Sequence, residues 1–330
     1  MAVLSLQKDL TSERGNSMQQ AASKPTAAGK GALVEKIWKA RHWYVFILPA
    51  VILYAVFRYY PLYYVQIAFR EFRFTRPITQ CEFVGFDYFI ELFESPGFWT
   101  AFSNTLIINF YKLLICFPAP IVIAILINEI RSRLFKRSVQ TILYLPHFVS
   151  WIVVASIITN FLTVNGGVAN NVIGLLGYEP VMFLGQKEYF RAIVVLTELW
   201  KEAGWGAIIY LSALTSIDPQ LYDSADMDGA NWFQRLYYIT LAGIKEIIVV
   251  MLILRIGNIL GGSFDQIQSI LNVQVLPVGD TLDTYVFRVG IANNRYSFAT
   301  AAGLFNTAVA AIMLFAADRF AKRLGERGLF

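Results

Sequence analysis

Asp223-Ser224-Ala225-Asp226-Met227-Asp228-Gly229-Ala230 is an acidic, glycine-broken segment that stands between two long apolar runs, at 190–214 and 244–261. In a chain this apolar, a short polar loop with so many carboxylates is expected to face a soluble partner rather than lipid. The composition around it sets the contrast: 56% of the 330 residues are hydrophobic and only 15% are charged, which is outside the usual soluble range. A helix needs roughly 20 mostly apolar residues to cross the hydrocarbon core of a membrane. Six runs qualify, at 43–60, 102–127, 139–163, 190–214, 244–261 and 297–317. They are too long and too continuous for barrel strands of about ten alternating residues, and helices satisfy their backbone hydrogen bonds internally. The expected fold is all-α, a polytopic membrane protein with six transmembrane helices.

Loop charge orients the chain, because Lys and Arg near span ends are retained on the cytoplasmic side. The N-terminal tail, the second-to-third and fourth-to-fifth connections and the C-terminus together hold 17 Lys and Arg. The opposite loops hold six, namely Arg70, Arg73, Arg76, Lys187, Arg288 and Arg295. Both termini and the acidic segment are therefore expected in the cytoplasm. The plan reads as a polar, largely disordered tail at 1–42, a six-helix domain at 43–317 that includes the loop 218–243, and a C-terminal tail at 318–330. No short apolar region precedes the first span, which is expected to act as its own insertion signal.

The net charge of +5 is this topological signal and not a nucleic-acid footprint, since no aromatics interleave with the basic residues as a single-strand groove requires. Cys81 in an external loop and Cys116 in the second span differ in depth, which argues against a mutual disulfide. His42 and His147 are too few and too far apart for a metal site, so packing or interfacial roles are expected of them and no metal is expected.

Pro49 should distort the first span, and Pro118 and Pro120 the second. Ionisable residues at apparent span depth are Arg58, Lys112, Arg191, Glu198, Lys201, Glu202 and Arg255. A charge at the bilayer centre costs about 2.5–3.5 kcal/mol on insertion scales, so those near the middle should face an interior or a water-filled path. Arg58 and Arg191 lie near span ends and are expected to snorkel. Glu198, Lys201, Glu202 and Trp205 fall on one helix face through i,i+3 and i,i+4 spacing. A polar face beside an indole suits a sugar, which offers hydroxyls to charged groups and an apolar ring face to the aromatic. The same spacing equally fits an interhelical pair that locks the bundle. Arg255 and Asn258 on the fifth span are further candidates of this kind, as are Asn104 and Asn306.

Within the acidic loop, Asp218-Pro219 is a helix start, Asp being a preferred N-cap and Pro a preferred first residue. The helix is expected to run to about Met227 with Asp223 and Asp226 on its exposed side, and Gly229 then permits a sharp change of direction. A second short helix at about 231–238 presents Trp232, Phe233, Leu236 and Tyr237. The loop 218–243 holds four carboxylates and one basic residue, Arg235. An amphipathic helix lying on the membrane usually carries Lys and Arg toward anionic lipid, whereas this one carries Asp. The preferred reading is a compact plug that inserts into a groove on a cytoplasmic protein, with apolar knobs for affinity and carboxylates for basic groups.

These residues resemble the cytoplasmic coupling loop of ABC importer permeases, whose pattern is Glu-Ala-Ala, two variable residues, then Asp-Gly-Ala. Here Asp223-Ser224-Ala225 and Asp228-Gly229-Ala230 stand at that distance, followed by Phe233 and Ile239-Thr240-Leu241. Tyr144-Leu145-Pro146-His147-Phe148, Trp200-Lys201-Glu202-Ala203-Gly204-Trp205 and Asp283-Thr284-Tyr285-Val286 look like the permeases of oligosaccharide importers. Those include lipoprotein-linked importers of complex sugars and the importer of alginate fragments. The chain departs from the pattern at Asp223 and Ser224, where Glu and Ala are frequent, and at Ala242, where Pro is.

The resemblance implies a type I ABC importer permease fold in the bacterial inner membrane. It implies a subunit that pairs with a second, similar permease as a heterodimer, sits on two ATP-hydrolysing subunits and receives an oligosaccharide from an external binding protein. ATP and Mg would belong to the partners, with no cofactor on this chain and no enzyme activity of its own. Consistent with this, the chain has no Gly-x-x-x-x-Gly-Lys-Ser/Thr phosphate loop, and Gly29-Lys30-Gly31 lacks the spacing. Docking would be carried by Asp223, Ser224, Ala225, Asp228, Gly229 and Ala230, with Gly229 setting the turn and Asp228 fixing its geometry. Glu198, Lys201, Glu202, Trp205, Arg255 and Asn258 would border the sugar path. The basic residues would suit uronate units, or would simply pair with Glu198 and Glu202. The rival reading is a proton-coupled secondary transporter in which Glu198 and Glu202 relay protons.

Overall fold

The structure is a computed structural model that describes Trp38, residues 41–323, Gly325 and Gly328. The disordered tail expected at 1–42 falls almost wholly outside these residues. The chain divides into two units, 1–64 and 65–330. The first contains α1 (Arg41–Tyr54), which tolerates Pro49 in its interior, followed by a π-helical turn at Ala55–Tyr59.

The second unit holds all the candidate site residues expected from the sequence. α2 (Asp87–Glu94) precedes α3 (Pro96–Ile115) and α4 (Pro118–Glu129). The prolines distort the second expected span as anticipated: α3 stops one turn short of Pro118, whose fixed φ suits the first residue of a new helix. α5 (Arg133–Tyr144) then leads through a 3-10 turn at Leu145–Phe148 to α6 (Trp151–Leu162). The run at 139–163 is therefore not one straight span, since its two arms are bent by 101°. Pro146 in the corner has no N–H to donate, and Ser150 restarts the helix by accepting from the Val153 N–H at 3.4 Å.

After α7 (Val168–Leu175), α8 (Lys187–Leu214) runs unbroken for 28 residues and packs on α3, α4 and α5. Gly204 permits the approach to α5, because a Cβ there would overlap the Leu143 carbonyl. Arg191 does not snorkel. It donates to the Asn104 side-chain oxygen at 2.8 Å and to the Val278 carbonyl at 3.2 Å, and Asn104 in turn donates to Pro277 and Asp280 carbonyls. Both residues thus tie α3 and α8 to the segment near 278 and are taken up in structure.

The chain continues through α9 (Pro219–Met227), α10 (Trp232–Arg235), a π-helical turn at Leu236–Leu241 and α11 (Lys245–Gly257). The short helix expected at 231–238 is thus a single α-turn that widens into π-helix on its way to α11. Three short helices follow, α12 (Phe264–Ile270), α13 (Leu276–Gly279) and α14 (Leu282–Phe287), and a π-turn at Arg288–Ala292 leads to α15 (Tyr296–Arg323). The C-terminal tail expected from 318 is helical through Arg323.

Among the described residues, Arg41–Phe69, Pro96–Glu129 and Tyr296–Arg323 are long and apolar enough to cross a membrane, and the bent α5/α6 pair makes a fourth if its two arms form one broken span. α8 carries Glu198, Lys201 and Glu202 at its middle, which lowers its apolar content, and α11 has only 13 residues. Three apolar clusters fasten the unit. One joins α3, α14 and α15 through Phe98, Leu282 and Phe298; another seats Phe190 among Ile108, Val194 and Ile267; the third gathers Ala207, Tyr210, Leu214 and Ile244 beside α4.

Candidate functional site

Two carboxylates on one face of α8 organise a cavity of about 400 Å³, within the usual range of small-molecule sites. Its wall includes Glu198, Glu202, Trp205, Arg255 and Asn258, so five of the six residues expected along a sugar path are brought together. The sixth, Lys201, is turned away from the cavity and buried. Its Nζ donates to the His147 carbonyl at 2.8 Å and to Glu202 Oε1 at 3.0 Å, and lies 5.0 Å from the Trp151 ring centre. Lys201 thereby serves a carbonyl that the bent corner leaves without a helical partner, which spacing along α8 alone does not disclose.

Glu198 is shared by two cations. Lys112 from α3 meets Oε2 at 2.5 Å, and Arg255 from α11 pairs with Oε1. Lys112 is fully buried, and its ammonium is saturated by further bonds to Ser263 Oγ at 2.8 Å and Gln266 Oε1 at 2.7 Å. Gln266 passes the network back to α8 through the Val194 carbonyl and Thr197 Oγ1. Lys112 is therefore a fixed counter-ion. Arg255 keeps 38% of its side chain exposed and faces the cavity, and with one carboxylate between two cations the group carries a surplus positive charge.

Glu202 has a different environment. Its Oε2 lies 2.8 Å from His147 Nδ1, and because a carboxylate only accepts, that nitrogen carries the proton. The same imidazole stacks on Trp205. His147, from which the sequence leads one to expect a packing or interfacial role, thus orients both a carboxylate and an indole. The sole sequence signal for this was its place in the Tyr144-Leu145-Pro146-His147-Phe148 motif. Lys112, Asn109 and Trp151 also belong to the site and were not among its sequence candidates.

At the other end of α8, the acidic loop is a hairpin of helices closed by its own hydrogen bonds. Asp218 caps α9 by accepting from the Gln220 N–H at 2.9 Å, as its sequence position predicts. The Ala230 N–H bonds to the Ala225 carbonyl at 2.9 Å and the Gly229 N–H to the Asp226 carbonyl at 3.1 Å. This pair is the Schellman closure, and Gly229 supplies the left-handed residue it needs at φ +74°. Asn231 and Gln234 form a reciprocal capping box that starts α10. Asp226, expected to be free on the exposed side, pairs with Arg235 across the turn, and Tyr222 meets Thr240 at 3.0 Å. The turn is thus closed by main chain and by the Asp226–Arg235 pair, while Asp228, expected to fix it, makes no side-chain hydrogen bond among the described residues. Asp223 and Asp228 remain exposed, as do Leu221, Met227, Phe233 and Tyr237.

The loop is spliced between α8 and α11, the two helices joined farther along by Glu198 and Arg255. Glu198 sits about 24 Å along α8 from Leu214, at 1.5 Å per residue.

Residues 117–327 match the family described as binding-protein-dependent transport system inner membrane component. The chain is 42% identical to the polygalacturonan/rhamnogalacturonan transport system permease protein YteP of Bacillus subtilis (strain 168), over 90% of this chain and 93% of that one. It is 41% identical to protein LplB of the same organism, over 92% and 96%. A chain in the crystal structure of a bacterial alginate ABC transporter, in complex with alginate pentasaccharide-bound periplasmic protein, matches with a TM-score of 0.82 and 38% identity. That match covers 89% of this chain and 99% of the other.

Proposed function

Since the chain belongs to the family of binding-protein-dependent transport system inner membrane components, as a permease of sugar ABC transporters, we propose that it forms half the path of an ATP-driven importer for uronate-bearing oligosaccharides. The observation that carries the proposal is Glu198 held between Lys112 and Arg255, with Arg255 facing a cavity whose wall also holds Glu202 and Trp205. The surplus positive charge favours a sugar carboxylate, the indole accepts the apolar face of a ring, and Glu202 and Asn258 accept or donate to hydroxyls. Relatives that carry polygalacturonan, rhamnogalacturonan or alginate in their names support the uronate class.

In this reading a second, similar permease completes the path in the bacterial cytoplasmic membrane, with the termini in the cytoplasm. Two ATPase subunits bind ATP and Mg, and an external binding protein delivers the sugar. Asp223, Ser224, Ala225, Asp228, Gly229 and Ala230 dock on an ATPase subunit. The closed Schellman turn keeps α9 and α10 from folding independently, so displacement of the loop reaches α8 and α11 together. Those helices carry the two ends of the Glu198–Arg255 pair, and their relative shift opens or closes the cavity to one side. Each state is favoured by a differential interaction, from nucleotide below and from the loaded binding protein above.

The test is uptake of oligogalacturonate and of an uncharged oligosaccharide by the reconstituted transporter. Arg255→Gln leaves Glu198 and Lys112 balanced, so it removes the cavity's surplus charge without orphaning a buried ion. Uronate uptake should fall about 10- to 100-fold, the value of a charge-assisted hydrogen bond, and neutral uptake much less. Equal loss for both sugars overturns the uronate assignment. Uptake that continues without ATP and stops when the proton gradient collapses would instead establish the proton-coupled rival. Commitment of Glu198 to two cations speaks against its relaying protons.

A further inference from the structure

On the side of α14 and α15 there is a second cleft, of about 520 Å³, that the sugar path does not use. Its polar lining is Asp283, Tyr296, Thr300 and Asn306, set among Phe264, Phe287 and Ile291. Tyr296 commits its hydroxyl proton to Asn294 Oδ1 and Thr300 commits its own to the Tyr296 carbonyl. Asn306 donates Nδ2 to the Leu260 carbonyl, and its Oδ1 is buried without a partner among the described residues. The Asp283 side chain is half-buried, and its carboxylate has no hydrogen bond or ion pair among the described residues. What the cleft leaves unanswered is a carboxylate and an amide oxygen, both acceptors. The buried acidic side chains Glu198, Asp280 and Asp318 of this unit each have a cationic partner, Glu198 in Lys112 and Arg255, Asp280 in Arg288 and Asp318 in Lys322.

The depth of the cleft restricts what can answer them. Tyr296, Ala299, Thr300, Gly303 and Asn306 follow one face of α15, and Asn306 lies about 15 Å along the helix from Tyr296, inside the expected sixth span. Lipid tails offer Asn306 Oδ1 no donor at this depth, and a buried polar atom left unpaired is costly. The same face carries Ala299 and Gly303 four residues apart, the small-residue spacing that lets a second membrane helix come close, and a Cβ at Gly303 would meet nothing within 4 Å.

We propose that this cleft is a socket for a Lys or Arg side chain on a membrane helix of the second permease subunit, with Asp283 and Asn306 Oδ1 as its acceptors. The inference rests on the reading above that a second permease completes the path. It adds a charged lock between the two permeases, separate from the Glu198 cluster.

The experiment uses the complete transporter. Benzophenone maleimide attached at Gly303→Cys, with Asp283 intact, should cross-link to the second permease next to a Lys or Arg of one of its helices. Asp283→Lys should lower the amount of second permease recovered per copy of this chain about tenfold, and exchanging the cross-linked cation for Glu in that background should restore it. Cross-links confined to lipid or to the same chain overturn the socket, as does full recovery of the second permease with Asp283→Lys. If the unaltered transporter brings down no second permease, the functional reading itself fails. If it does and Asp283→Lys changes nothing, only the socket fails.

Discussion

The rings of His147 and Trp205 lie face to face, with centroids 4.5 Å apart and planes within 1° of parallel. One comes from the bent corner before α6 and the other from the middle of α8, so the stack joins the corner to the cavity wall. His147 also holds Glu202, which leaves both the indole and the carboxylate little freedom to reorient.

His147→Ala should therefore raise the sugar concentration needed for half-maximal uptake by about 2- to 12-fold, the value of one aromatic pair of 0.5–1.5 kcal/mol. His147→Phe keeps a stacking partner and loses the bond to Glu202. It should recover part of the effect in steady-state uptake, and no difference between the two variants would show that the stack is idle.

Glu198→Gln should be more damaging than Lys112→Met. The first leaves two cations without a counter-charge, whereas the second leaves Glu198 and Arg255 balanced. The expected cost of the first is about 3–5 kcal/mol, as for other broken buried pairs. Combining the two changes should regain part of it. Thermal unfolding of the purified transporter, followed by size-exclusion chromatography, reads this order directly.

Gly204→Ala should depress the yield of folded protein, because the new methyl overlaps the Leu143 carbonyl and main chain cannot rotate away as a side chain can. Overpacking of this kind costs about 1–3 kcal/mol. Gly174→Ala, where a Cβ meets nothing within 4 Å, is the matched control and should be neutral in the same chromatographic assay.

Gly229→Pro should uncouple transport while membrane insertion persists. Proline holds φ near −65°, and the Schellman turn requires +74°. Arg235→Gln removes only an exposed pair worth about 0–1 kcal/mol and should leave stability nearly unchanged. Sugar-stimulated ATPase is the measurement, and unaltered stimulation in Gly229→Pro would remove the loop from the coupling path.

Much of this architecture is legible in the sequence, for reasons that differ from element to element. The long apolar runs announce helices because composition alone records membrane burial, and Asp218-Pro219 marks the start of α9 because capping is a local matter. The corner at Leu145–Phe148 is marked by Pro146, yet an angle of 101° has no counterpart in hydropathy. Lys112 could be recognised as a buried charge but not assigned to Glu198, since 86 positions separate them and only the packing of α3 on α8 joins them. Asp226 looked free for the same reason. Its partner Arg235 lies nine residues on and is brought back by the turn at Gly229.

The corner before α6 has a consequence for how this chain can adapt. A lysine already assigned to the corner's carbonyl is not available to recognise cargo, so Lys201 is part of the frame, and so is Lys112 with its saturated ammonium. Under the proposed function, recognition is left to a small set of cavity side chains, chiefly Glu202, Trp205, Arg255 and Asn258, none of which sets the course of the backbone. A change of diet is then open to a descendant of this chain by substitution at those few positions, with the frame inherited intact.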